Sequence, residues 1–200
     1  MVERARKLMS AAEFLEWDDG TDTRYELIDG VPVAMAPGSV HHMQISFNVA
    51  RLADEAVRDR RPCRAVPGGG LLLEEGPPGR VYVPDVLLTC EPIEAAQLYR
   101  APRLVVEVLS PSTQSYDKTA KLPRYAALPS VEEIWLLGSR ARSLTLWERV
   151  AGDWHAALPM IGRASFVSRV LGVEVSLDSI YELTTLEAAS PEDGSEEPGG

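Results

Sequence analysis

The chain has 200 residues, 45% of them apolar and 25% charged, with a formal net charge of −10. That is ordinary globular composition with length enough to bury a sizeable core, and no apolar run approaches the roughly 18 residues of a bilayer span. Arg4, Arg6 and Lys7 precede no apolar stretch, so a cytoplasmic protein without a secretory signal is expected. The acidic balance also weighs against tight nonspecific nucleic-acid binding, which depends on neutralising phosphates.

The first structural signal is Ser10-Ala-Ala-Glu13, a capping box that opens a short helix to about Trp17. Residues 25–34 read as a hairpin with Asp29-Gly30 as its two-residue turn. From Val40 to about Arg58 the spacing is helical, with Ile45, Val49, Leu52 and Ala56 on one face. Strands are predicted at 64–66 and 70–74, and the Gly68-Gly-Gly70 run between them reads as a bulge or turn. It lacks the Gly-Lys-Ser/Thr ending of a phosphate loop.

Two apolar strands come next, at 81–88 and 104–109, followed by a helix from 115 to 128 that Pro123 kinks or breaks. Further strands are expected at 131–137, 143–149, 154–158, 165–167 and 173–175, with Asp178 capping a last helical turn. Strands outnumber helices. The expected fold is therefore one α/β domain over residues 1–183, with a mixed, largely antiparallel sheet packed by one long and one broken helix.

After Leu183 the chain is polar, acidic and rich in Pro and Gly, so 184–200 reads as a disordered tail. Its five acids leave −5 on the body. Cys63 and Cys90 have no metal-like spacing and read as free thiols of a reducing compartment. Arg58, Arg60, Arg61 and Arg64 form one cluster and Arg140, Arg142 and Arg149 another, both read as solvated surface.

Chemistry enters with the acids. Glu107 lies at the centre of Leu104–Leu109, on the face of Val105 and Leu109. Asp85 lies likewise between Val83 and Leu87. An unpaired ionised carboxylate in such a strand is costly, so two together need a shared explanation, a cation. Hard oxygen ligands suit Mg2+ or Mn2+. Glu26 could join from the hairpin strand. His42 and His41 both lie near the core side of the long helix, and periodicity alone does not separate them. Lys121 follows Asp117 by four residues and precedes Tyr125 by four, one stripe of a helix. The plain alternative for Asp117–Lys121 is a surface ion pair.

In order, Tyr25-Glu-Leu-Ile-Asp-Gly30, His42 before an amphipathic helix, Pro84-Asp85-Val86, Val106-Glu-Val-Leu-Ser-Pro-Ser-Thr113 and Asp117-x-x-x-Lys121-x-x-x-Tyr125 resemble the Uma2 family of the PD-(D/E)XK nuclease-like superfamily. The resemblance covers about residues 10–183. It implies a restriction-endonuclease-like core, a central mixed β-sheet flanked by helices, and Mg2+-dependent hydrolysis of nucleic-acid phosphodiesters, DNA above all, by a homodimer. It implies that Asp85 and Glu107 are metal ligands, with the Val108 backbone as a third and Glu26 as an additional acid. Lys121 takes the part of the displaced lysine, since Leu109 stands two residues after Glu107 where that lysine usually falls. His42, rather than His41, matches the family histidine. The chain departs from the pattern at Pro123 and at Ser130-Val131. A second reading is a nuclease-fold protein with little catalysis that acts as a binding or regulatory module.

Overall fold

The computed structural model describes residues 7–93, 98–111 and 114–188. Its architecture is two sheets that meet at one seam. A four-stranded sheet has the order β2-β1-β5-β4, built from β1 (Tyr25–Ile28), β2 (Val31–Ala34), β4 (Leu71–Glu74) and β5 (Arg80–Tyr82). A seven-stranded sheet runs β10-β9-β8-β7-β6-β3, with β11 paired to β9. Its members are β3 (Arg64–Pro67), β6 (Val86–Thr89), β7 (Pro102–Leu109), β8 (Glu133–Gly138), β9 (Ser143–Val150), β10 (Asp153–Ala156) and β11 (Met160–Ile161). A small hairpin, β12 (Ser165–Ser168) with β13 (Val173–Ser176), and a helical turn, α5 (Leu177–Ile180), follow.

Local chemistry accounts for the expected elements. Helix α1 (Ala11–Glu16) carries the capping box: Ser10 Oγ accepts from the Glu13 N–H at 3.1 Å, and the Ser10 N–H donates to Glu13 Oε2 at 2.9 Å. Asp29 and Gly30 have φ of 48° and 78°, both in the left-handed region a two-residue hairpin turn requires. Helix α2 (Val40–Ala56) buries Ile45, Val49 and Ala53 against one face of the large sheet, on Val86, Leu88, Leu104, Val106 and Val108. The crossover from β7 to its parallel neighbour β8 covers the other face, where Tyr125 packs with Leu87, Val105, Ile134 and Leu136. That parallel pair makes an otherwise antiparallel sheet mixed, as expected.

Several expectations need correction. The run 81–88 is not one strand. It breaks at Val83-Pro84-Asp85, where the chain passes from β5 in the small sheet to β6 in the large one. Asp85 therefore stands in a linker rather than in mid-strand. The helix expected over 115–128 is three pieces: α3 (Gln114–Tyr116), a π-helical turn Asp117–Lys121, and α4 (Leu122–Ala127). The π turn is closed by the Leu122 N–H donating to the Asp117 carbonyl, five residues back. Pro123 sits in the first turn of α4, directly after the π turn. Ser176, not Asp178, caps the last helical turn.

Cys63 and Cys90 are not free thiols but a disulfide. The antiparallel register of β3 and β6 pairs Arg64 with Thr89, and one further step sets the cysteines opposite each other. The arginines are mostly committed to structure. Arg60 donates to the Val170 carbonyl at 3.0 Å. Arg149 holds the carbonyls of Ala126, Leu128 and Val131 and stacks on Trp154. Residues 184–188, read as the start of the tail, pack on the body: Leu186 touches the main core, and the Arg142 N–H donates to the Glu187 carbonyl at 2.7 Å. The rest of the expected tail, Ser112, Thr113 and the basic residues before Lys7 lie outside the described residues. Among the described residues no helix is long and apolar enough to cross a membrane.

Candidate active site

The seam between the sheets collects the acids. Val86 pairs with Val106 across β6 and β7, so the register continued by one step sets Asp85 across from Glu107 on the same face. Asp85 is fixed by two partners: the Val108 N–H donates to Oδ2 at 2.7 Å, and His42 Nε2 lies 2.6 Å from Oδ1. Gly38 makes room for that imidazole. A Cβ at Gly38 would stand 2.9 Å from His42 Cδ2. His41 turns elsewhere, to Thr185 Oγ1 at 3.2 Å. The structure thus separates two histidines that periodicity could not.

Glu26 reaches the seam from the small sheet. Its Oε1 accepts from the Val83 N–H at 2.8 Å, so the linker and the hairpin strand are tied by a carboxylate. Lys121 arrives from the crossover. Its Nζ lies 2.8 Å from Glu26 Oε1, 3.3 Å from Glu107 Oε1 and 3.6 Å from Asp117 Oδ1. Lys121 and Asp117 are only 8% and 6% exposed at their side chains, so the surface ion pair considered as an alternative is excluded. The π turn brings both to the core: Asp117 and Lys121 are its two buried residues.

Tyr125 and Tyr82 complete the wall. Tyr125 Oη donates to Glu107 Oε1 at 2.6 Å, and Tyr82 places its ring 5.5 Å from Lys121 Nζ. Tyr82 Oη and Tyr116 Oη are 3.2 Å apart. The Asp117/Lys121/Tyr125 stripe was visible in the sequence. Tyr82 and Tyr116 were not read as part of the site; the one available signal was a tyrosine at 82 two residues from the Pro-Asp pair.

Charge is out of balance here. Four carboxylates (Glu26, Asp85, Glu107 and Asp117) gather around one lysine and one histidine. Burial pushes the Glu107 carboxyl up to about 8, with Asp85 and Asp117 adding to the rise against the pull of Lys121 and the Tyr125 hydroxyl. Burial works against the Lys121 ammonium, but Glu107, Glu26 and Asp117 outweigh it and hold the lysine protonated well beyond its ordinary range. The hydrogen bond that His42 donates to Asp85 raises the imidazole, partly offset by burial. Burial, then Glu107, pushes the Tyr125 phenol far up, so it stays a donor.

Among the described residues no three Asp, Glu, His or Cys side chains already form a ligand cluster, since Lys121 stands between Glu26 and Glu107. The donor set nevertheless suits a hard cation. It is all oxygen and carries excess negative charge, and Glu107 Oε2 accepts no hydrogen bond among the described residues.

The sequence relatives extend this picture. "Uncharacterized protein slr1290" of Synechocystis sp. is 30% identical over 176 residues, covering 86% of this chain and 91% of its own. "Uncharacterized protein sll1609" of the same organism is 28% identical over 157 residues, covering 76% and 87%. A crystal structure from Anabaena variabilis, titled as that of "a putative nuclease belonging to DUF820", superposes with a TM-score of 0.69 at 17% identity, covering 86% of this chain and 97% of that one. The likeness is one of fold, and the restriction-endonuclease-like core expected from the resemblance is the fold found. The model of the family described as "Uma2: Putative restriction endonuclease" matches residues 11–177. With every residue of the seam inside that match, from Glu26 to Tyr125, the chain belongs to the Uma2 family.

Proposed function

We propose that this chain hydrolyses nucleic-acid phosphodiester bonds, with DNA as substrate, using Mg2+ or Mn2+ held by Asp85, Glu107 and the Val108 backbone, with Glu26 as an additional ligand. The observation that carries this reading is the buried excess of carboxylates around Asp85 and Glu107. Such a group of acids is stable only if something positive or a proton is shared among them. At the raised Glu107 carboxyl a proton serves when no cation is present, and Oε2, which accepts no hydrogen bond among the described residues, is the atom at which a cation would replace it.

A bound divalent ion supplies Lewis-acid polarisation of a phosphate oxygen and makes water a better nucleophile. The chain's own groups do the positioning. Tyr125 and Lys121 pin Glu107 by Oε1, which leaves Oε2 directed away from them. Lys121, kept charged by its acidic neighbours, offers a fixed positive group to charge that develops on the phosphoryl oxygens. His42 orients Asp85 and, with its imidazole raised by the bond to Asp85, can exchange a proton with water or a leaving group. The dry wall of Tyr82 and Tyr125 strengthens these interactions.

The test is cleavage of supercoiled plasmid with Mg2+ or Mn2+, beside calorimetry with Mn2+. Loss of both nicking and metal binding in Asp85→Ala and Glu107→Ala is expected. Undiminished cleavage by those variants would sink the assignment. Lys121 is already engaged by three carboxylates and the chain is acidic, which favours as second reading a nuclease fold that binds without cutting. Metal binding with intact plasmid under all conditions would select it.

A further inference from the structure

Among the described residues, one cation at the seam has no acid of its own. Arg51, Arg80, Arg103 and Arg124 each meet a carboxylate. Arg24 is exposed and, among the described residues, its side chain makes a single hydrogen bond, from Nη2 to the Gly68 carbonyl at 2.8 Å. Its remaining guanidinium donors are unspent.

Its placement is specific. The Met35 N–H donates to the Arg24 carbonyl at 2.8 Å, which extends the β1–β2 ladder by one pair in register. Alternation along β1 then sets Arg24 on the same face as Glu26. The carbonyl that holds the guanidinium belongs to Gly68, and the Gly68 N–H donates to the Asp85 carbonyl at 3.0 Å. Arg24 is thus two residues from one acid of the seam and one hydrogen-bonded residue from another.

Gly68 is shaped for this neighbour. Its φ is +58°, and a Cβ there would lie 2.8 Å from Arg24 Nη2 and 3.2 Å from Nη1. The guanidinium lies against the bare face of the glycine, and any side chain would displace it. The first glycine of Gly68-Gly-Gly70 is therefore a cradle for an arginine and not only a turn.

We infer that Arg24 is a phosphate-contacting residue of this site, gripping a backbone phosphate of the nucleic acid at the mouth of the acid seam. The inference rests on the phosphodiester reading above. A planar guanidinium with a free edge matches phosphate oxygens in a bidentate way that an ammonium does not. The anchor at Gly68 pre-orients that edge. In a chain of net charge −10, a committed cation beside the seam is what draws a polyanion to a cluster of acids.

The experiment is fluorescence anisotropy of the full chain with a short labelled DNA duplex in Ca2+, across a salt series, together with steady-state cleavage in Mg2+. Arg24→Ala should weaken binding about tenfold and lower the salt slope by about one, the signature of one lost phosphate contact. In cleavage KM should rise more than kcat falls. Arg24→Lys should restore the slope but only part of the affinity. Gly68→Ala, which keeps Arg24 but displaces it, should weaken binding in the same direction. Arg163→Ala, an exposed cation on the β11–β12 connection, serves as control and should change nothing. If wild type binds and Arg24→Ala leaves affinity and salt slope unchanged, this inference alone fails. If wild type neither binds nor cuts nucleic acid, the phosphodiester reading fails and takes this one with it.

Discussion

Glu107→Gln should make the metal-free protein more stable at alkaline pH. The Glu107 carboxyl is shifted from 4.5 to about 8 by burial first, with Asp85 and Asp117 adding to it. A carboxyl raised on folding keeps its proton longer in the native state than in the unfolded chain. Native protein therefore binds more protons between those two values, and stability falls as pH rises through that window, by about 1.4 kcal/mol per unit at the steepest. Below about 4.5 the contribution vanishes. By about pH 8 the accumulated cost of ionising a buried acid is on the order of 4 kcal/mol. The amide removes that cost while its oxygen still accepts from Tyr125 and Lys121. The pull of Lys121 on the ionised carboxyl is already part of the rise to about 8, so the variant should be favoured by about the same 4 kcal/mol at about pH 8. Urea unfolding in EDTA, from about pH 5 to about pH 9, measures the difference directly. The two stability curves should diverge with rising pH. Adding Mg2+ should then stabilise wild type and leave the variant nearly unmoved. Parallel curves over the whole range would refute the argument that Glu107 is strained by its own charge.

Two further outcomes follow from the same geometry. The His42 imidazole should titrate above 6.5 by NMR, and Asp85→Asn should bring it back down, because the Asp85 hydrogen bond is the largest cause of its rise. The stability this pair contributes is complete below the unfolded value and is lost as pH rises through the folded one; an unchanged midpoint in the variant would contradict the pairing. The disulfide closes a separation of 27 residues, so Cys63→Ser with Cys90→Ser should cost about 3–4 kcal/mol in denaturant midpoint terms. Thiol titration of the unfolded, unreduced chain should find no free cysteine.

Much of the fold could be read from residues acting on their near neighbours. Ser10 with Glu13, Asp29 with Gly30, and the α2 stripe of Ile45 and Val49 specify their elements locally, and all three are found. What escaped depends on distant pairing. Val81 to Leu88 is apolar apart from Asp85, and only the partners of each half, β1 and β4 for one and β3 and β7 for the other, divide it. Pro84 was the single local sign. The cysteines carry no motif, because what joins them is the β3–β6 register. The spacing of Asp117, Lys121 and Tyr125 fits an ordinary helix as well as one with an extra residue in its turn, so the π turn left no mark in the pattern. Asp85, Glu107, Glu26, Lys121 and His42 were all named from the sequence, and the structure gathers them at one seam. The partition into a His42–Asp85 pair and a Lys121-centred group was not legible, since it follows from which end of which element meets the seam.

The passage of Val83-Pro84-Asp85 from one sheet to the other has a mechanical meaning. Glu26 rides on the small sheet and Glu107 on the large one, while Asp85 belongs to the strap between them. The spacing of the acids is therefore a gauge of how the two sheets are set against each other. A divalent ion between them would act as a rivet across the joint, and hydrogen exchange should report its removal as a loosening of β1 and β5 against β6 and β7, with the interior of each sheet still protected.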